Sequence, residues 1–257
     1  MVDASMPIAM PEVRRISGED LRTALTAGLV DFRRAPLLSL FFGAVFALIG
    51  LCLTLLLVNR GTSYWLLPLA AGFPLIGPFA AVGLYEISRR LEMGDPLALW
   101  PILTAGFRNP HGQLPLFAVL AVFFFLAWLV LARVIFAVSF GTASMTNVMT
   151  SVEVFFTGPG LIMLGIGSLV GAALALLLFS ISVVGMPLLL DRDVDIATAI
   201  IVSVRATIEN QGAMLGWAAF IAAATVVAML PLFFGMALVF PVLGHASWHL
   251  YRRVVAP

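Results

Sequence analysis

Lysine is absent from this 257-residue chain, and all 14 basic residues are arginine, a composition that points to a GC-rich bacterial genome. Cysteine is reduced to Cys52 alone, which excludes an intrachain disulfide. Charge is scarce: 11% of residues, summing to +1, too little to build a basic field for nucleic acid. Histidine occurs three times, as His111, His245 and His249. No phosphate-binding loop, nucleophile elbow, zinc motif or pair of carboxylates inside an apolar segment is found. These absences leave no constellation for catalysis, and the expectation is a protein that is not an enzyme and carries no cofactor.

What fills the chain instead is apolar: 62% of residues, with a mean hydropathy of +1.10. No soluble domain of this length needs so much apolar surface, so the solvent is a bilayer. A span takes about 20 residues to cross a hydrocarbon core of ~30 Å. Residues 37–58, 65–88, 114–140 and 161–190 each satisfy this. The last apolar stretch, residues 212–250, is harder to read. As one helix it would run about 58 Å, nearly twice the core. Broken near Pro231 it becomes two spans, about 212–230 and 231–250. That reading keeps Arg252 and Arg253 with the other arginines, as the positive-inside rule requires. The alternative is five spans with the C-terminus outside.

Six spans place twelve of the 14 arginines on one side. They precede the first span (Arg14, Arg15, Arg22, Arg33, Arg34) or lie between the second and third (Arg89, Arg90, Arg108). The rest fall between the fourth and fifth (Arg192, Arg205) or end the chain (Arg252, Arg253). Arg60 is outside, and Arg133 lies near the outer interface. No apolar stretch or cleavage pattern of a secretory signal opens the chain. The expected arrangement is therefore a bacterial inner-membrane protein with both termini cytoplasmic, a flexible tail over residues 1–16 and a single membrane domain over 17–257.

Each cytoplasmic segment reads as a short amphipathic helix lying in the interface. The first runs over residues 17–34, with a capping box at Ser17 and Asp20 and Leu21, Leu25, Gly28, Leu29 and Phe32 on one face. The second starts at Asp95-Pro96, with Leu99, Leu103 and Gly106 on its face. The third starts near Asp193 or Asp195, with Ala197, Ile200, Ile201, Val204 and Ile208 on one side. The order amphipathic helix, span, span thus occurs three times. Sequence echoes accompany it: Leu67-Pro68-Leu69 with Arg89 and Arg90 against Leu230-Pro231-Leu232 with Arg252 and Arg253, and Val82-Gly83 against Val184-Gly185. The fold expected is an all-α polytopic bundle of six transmembrane helices with three interfacial helices, arranged as a parallel triplication.

Two places invite a functional reading. Pro74, Gly77 and Pro78 interrupt the second span, and prolines four apart remove helix donors and clash with preceding carbonyls. Broken helices of this kind hold substrate or ions in transporters; a kink eased by glycine packing is the alternative. Glu86, near the cytoplasmic end of the same span, sits within a turn of Arg89 and Arg90 and either serves a site or snorkels to the interface. His245 and His249 share one face of the last span at i, i+4 and are the candidates for a cofactor or metal. A pair alone falls short of the three or four ligands that zinc takes, and no metal site is assigned. Gly167 and Gly171 suit close helix packing.

The segment from Leu67-Pro68-Leu69 to Arg90, with Gly77-Pro78-Phe79 and Tyr85-Glu86-Ile87-Ser88-Arg89-Arg90, resembles a proteobacterial family of predicted integral membrane proteins of unknown function. Pro187-Leu188-Leu189-Leu190-Asp191-Arg192 and the helix that follows are similar too. The resemblance runs from about Glu19 to Arg253 and implies a multi-spanning inner-membrane protein, with no catalytic residues to carry over. The scarcity of polar groups inside the spans and their glycine content favour a non-enzymatic accessory or assembly factor, packing against a larger membrane complex or a second copy of itself. The alternative is a transporter or channel for a small or lipid-like solute, motivated by the broken second span.

Overall fold

The computed structural model describes residues 10–107, 113–141 and 152–256. Among these residues it is helical, with one isolated antiparallel bridge between Val13 and Val255. The helices are α1 (Gly18–Arg34), α2 (Pro36–Asn59), α3 (Leu66–Gly72), α4 (Gly77–Ala80), α5 (Val82–Met93) and α6 (Leu99–Leu103), followed by α7 (Leu114–Phe140), α8 (Gly158–Ser182), α9 (Gly185–Asp191), α10 (Ile196–Glu209), α11 (Gln211–Met229) and α12 (Met236–Val254).

Among the described residues, five stretches are long and apolar enough to cross a membrane: Pro36–Asn59, Leu66–Met93, Leu114–Phe140, Gly158–Asp191 and Gln211–Met229. The last apolar stretch is broken where Pro231 suggests it, between α11 and α12. Its turn carries Leu232 and Phe233 at φ 49° and 67°, a left-handed conformation that costs non-glycine residues about 1–2 kcal/mol each. Burial of the Phe233 ring offsets this: it is 7% exposed and packs edge-on to Phe73 at 5.5 Å.

The centre of the bundle is α12. It packs most extensively on α1, then on α2 and α5, and twelve of its residues are buried. Glycines let the helices approach. A Cβ at Gly28 would lie 2.5 Å from the Ala246 amide nitrogen, and one at Gly43 would lie 2.3 Å from the Ala237 carbonyl oxygen. Both clashes are with backbone, which no rotamer change relieves. Arginine and histidine keep the average hydropathy of α12 low, and burial among helices removes its need to match lipid.

The structure corrects several sequence expectations. The tail is anchored over part of residues 1–16: Arg14 N–H donates to the Val254 carbonyl, Ala256 N–H donates to the Glu12 carbonyl, and Val13 is buried. Backbone pairing with the C-terminal segment is invisible to composition. On α1, the buried stripe is Ala24, Gly28 and Asp31, while Leu29 faces outward. The second of the three expected interfacial helices begins at Leu99, after an extended Ala98, so Asp95 is not its cap; Leu99 and Leu103 are exposed and Ile102 is the buried residue. On α10 the predicted cap is present, Asp195 accepting from Thr198 N–H at 2.9 Å, and the predicted apolar stripe turns away from the bundle. Ala199, Val202, Ser203, Ala206 and Thr207 are buried, whereas Ile201 and Ile208 are exposed. α1 and α10 share one cause. Beside lipid, small residues go to helix contacts and the bulkiest apolar ones turn outward.

Candidate functional site

The core where α1, α2, α5, α9 and α12 meet holds a hydrogen-bonded chain of polar side chains. His245, fully buried, stands at its inner end. Its Nε2 lies 2.9 Å from Ser39 Oγ and its Nδ1 lies 2.8 Å from Ser88 Oγ. Ser39 Oγ also donates to the Ala35 carbonyl at 2.8 Å, and the Ser88 hydroxyl also reaches Asp31. One helical turn further along, His249 Nε2 meets Asp31 Oδ2 at 2.7 Å and its Nδ1 lies 3.5 Å from Glu92 Oε1.

The chain continues outward. Arg252 reaches Glu92 and Asp191, each at 3.2 Å. Tyr251 Oη donates to Asp191 Oδ2 at 2.6 Å. Arg253 pairs with Asp20 at 2.5 Å. Burial pushes the Asp31 carboxyl upward, but the His249 and Ser88 hydrogen bonds and the neighbouring positive charge hold it below the usual carboxylate range. Buried polar groups are costly unless satisfied, and here the partners come from four other elements. The junction fixes which helices surround α12 and at what register.

Both candidate histidines therefore lie in the same network, but they do not converge on one vacant point. Each of the four ring nitrogens faces a protein hydroxyl or carboxylate. Among the described residues no three metal-ligating side chains cluster. What the structure gives the two candidates, His245 and His249, is a set of protein partners within the bundle. Neither serine offers a nucleophile in this arrangement, since Ser39 and Ser88 are fully buried. His111 lies outside the described residues.

The broken second span is real and is packed with rings. Between α3 and α4 the chain makes a 3-10 turn over Phe73–Ile76, and α5 restarts after Ala81. Pro74 and Pro78 deny donors at the two breaks. Phe46 contacts Phe73 at 4.4 Å and stacks on Phe240 at 4.3 Å. Gly77 faces Phe240 across 3.9 Å from its ideal Cβ position. The Pro68 carbonyl accepts from Trp128 Nε1–H at 2.7 Å. Glu86 is not part of this break. It lies on α5, 2% exposed along its side chain, and is clasped by Arg89 Nε at 2.7 Å and Arg90 Nε at 2.6 Å. Pro74, Gly77 and Pro78 thus form one place and Glu86 another.

Sequence reading missed Asp31, Ser39, Ser88, Glu92 and Asp191. One signal was present: Asp31 continues the stripe Ala24, Gly28 at helical spacing, and a carboxylate on a stripe of small residues announces a buried partner. Ser39 and Ser88 gave no such signal, because a serine in an apolar helix also satisfies itself on the preceding turn.

No curated protein and no solved structure matches the chain. Residues 66–191, from α3 through α9, match the family model described as "Predicted integral membrane protein (DUF2189)". The apolar helices and this match agree that the chain is an integral membrane protein, and the family it resembles over those residues is one of unknown function.

Proposed function

We propose that the protein is a non-enzymatic accessory or assembly factor of the bacterial inner membrane that packs sideways against a larger membrane complex. The observation that carries this reading is the outer face of α8. Gly165, Ser168, Ala172 and Ala175 follow one another at i, i+3, i+7 and i+10, and all four are exposed. Gly165 has no atom within 4 Å of its ideal Cβ position. In lipid, helices associate through such small-residue faces because close approach gains dispersion contacts and backbone proximity. Gly171 shows the same device already in use, meeting the Trp128 ring of α7 at 3.1 Å, while Gly167 is open.

The topology of the proposal is six crossings with both termini cytoplasmic. The Val13–Val255 bridge ties the two chain ends together, which favours an even number of crossings, with α12 as the sixth. The arginine distribution orients the bundle. A parallel triplication is supported by packing: α5, α9 and α12, the inner halves of the second helix of each unit, contact one another. A first-helix phenylalanine also sits on a second-helix glycine twice over, Phe42 on Gly83 and Phe117 on Gly185.

Cross-linking in native membranes tests the proposal. In a Cys52→Ala background, photoreactive probes at Gly165→Cys and Ala172→Cys are expected to give one discrete stoichiometric adduct. A probe at Leu126→Cys, exposed on α7, gives none. Absence of a stoichiometric adduct from α8 would overturn it. A second reading, transport of a small or lipid-like solute, draws on the helix broken at Pro74 and Pro78. It fails if Pro74→Ala and Pro78→Ala leave the flux of every tested solute unchanged.

A further inference from the structure

The arginines on the positive side divide into two sets. Arg89 and Arg90 hold Glu86, Arg192 lies beside Asp191, Arg205 holds Glu209, Arg252 holds Glu92 and Asp191, and Arg253 holds Asp20. The arginines of the N-terminal segment differ. Arg14, Arg15, Arg22, Arg33 and Arg34 are exposed, and none has an ion-pair partner among the described residues. The acids nearest them are engaged elsewhere or stand apart: Asp31 is buried on His249, Asp20 is on Arg253, and Glu19 makes no ion pair with Arg22 one turn away.

The helix organises three of these charges. Arg22 and Arg33 are eleven residues apart, three turns and about 16 Å, and share a stripe with Thr26 and Leu29; Arg34 lies beside it. Their depth follows from the fold, since Pro36 opens the first span two residues after Arg34. Directly beyond, Leu37 and Phe41 are exposed at 83% and 39%, and Leu29 at 38%. Arg33 and Arg34 stand at the start of the first span, Arg22 continues their stripe away from it, and exposed apolar side chains follow on the span itself, an order of charge then hydrocarbon that is complementary to one kind of molecule.

We propose that the outer face of the α1–α2 elbow, built on Arg22, Arg33 and Arg34 with Leu37 and Phe41 beneath, binds anionic phospholipid. The guanidinium groups hold the phosphate through paired N–H donors, and the apolar side chains contact the upper acyl chain. Free phosphate would use only the first half of this surface. Near a membrane each such arginine contributes about fivefold in binding, so three act together as a selective site.

The test uses the full-length protein, delipidated in detergent and titrated with phosphatidylglycerol or phosphatidylcholine of identical acyl chains, with bound lipid read by native mass spectrometry. The wild type is expected to retain phosphatidylglycerol more than tenfold better than phosphatidylcholine. The combined variant Arg22→Gln/Arg33→Gln/Arg34→Gln is expected to lose that preference at an unchanged melting temperature, because these side chains are exposed and unpaired. Arg205→Gln, which removes a paired arginine, keeps it. Equal retention of the two lipids by the wild type, a preference that survives the triple substitution, or displacement of the lipid by equimolar inorganic phosphate would each overturn the proposal.

Discussion

Helices α8 and α12 lie in the same bundle and obey opposite rules. α8 has 25 residues without a charge, yet only Gly160, Leu178 and Ser182 are buried, and 6% of the most apolar window of its span is covered. α12 carries two histidines and two arginines and buries twelve of its 19 residues. In water the apolar helix would be inside and the polar one outside. The reversal identifies lipid as the solvent: hydrocarbon rewards outward leucine and valine, and polar groups survive only where other helices satisfy them. It also means that stability concentrates around α12 while α8 leaves most of its surface uncovered within the bundle.

The largest expected effect strikes the close contacts of α12. Gly43→Leu drives a side chain into the Ala237 carbonyl and is expected to cost about 3 kcal/mol or to prevent folding, measured by thermal unfolding in detergent. Gly167→Leu, on the open side of α8, serves as the matched control and leaves stability unchanged within about 0.5 kcal/mol. Equal loss in both would erase the distinction between the two helices.

Next in size is the polar junction. Asp31→Ala removes the carboxylate facing His249 and Ser88, and the stranded partners cost about 2 kcal/mol by the same assay. Acid should reach the same contact. The folded value of Asp31 lies below its ordinary 3.8, so its contribution is complete above that pH and is lost as pH falls through the lowered value. Melting temperature against pH should therefore drop on the acid side, and Asp31→Asn should flatten that limb. Smallest in stability is Gly165→Leu on α8, expected within about 0.5 kcal/mol of wild type while abolishing the lateral adduct from that face.

Much of this arrangement can be read in the chain before any fold is drawn. Long uncharged runs such as residues 37–58 and 161–190 announce helices because lipid leaves the backbone no other partner. Pro231 marks the break in the last stretch, and the prolines at 74 and 78 mark the second span. The faces of α1, α6 and α10 are not legible in the same way. A periodic stripe shows that Ile200, Ile201, Val204 and Ile208 share a side of α10, but the stripe does not say whether the helix turns it to protein or to lipid. The polar junction is hidden for another reason. Ser39, Ser88 and His245 are 49 and 157 positions apart along the chain, and only the packing of α2, α5 and α12 brings them together. His245 and His249, adjacent on one face, suggest a shared ligand, whereas the fold gives each its own partners.

The most direct test of the contrast labels single cysteines from within the bilayer, using a lipid-soluble maleimide in a Cys52→Ala background. Leu169→Cys and Leu177→Cys on α8, exposed at 73% and 57%, are predicted to react rapidly. Ala246→Cys and Leu250→Cys on α12, both at 0%, are predicted to react only after unfolding. Comparable labelling of the two helices in the folded protein would contradict a buried polar α12 at the centre of the bundle.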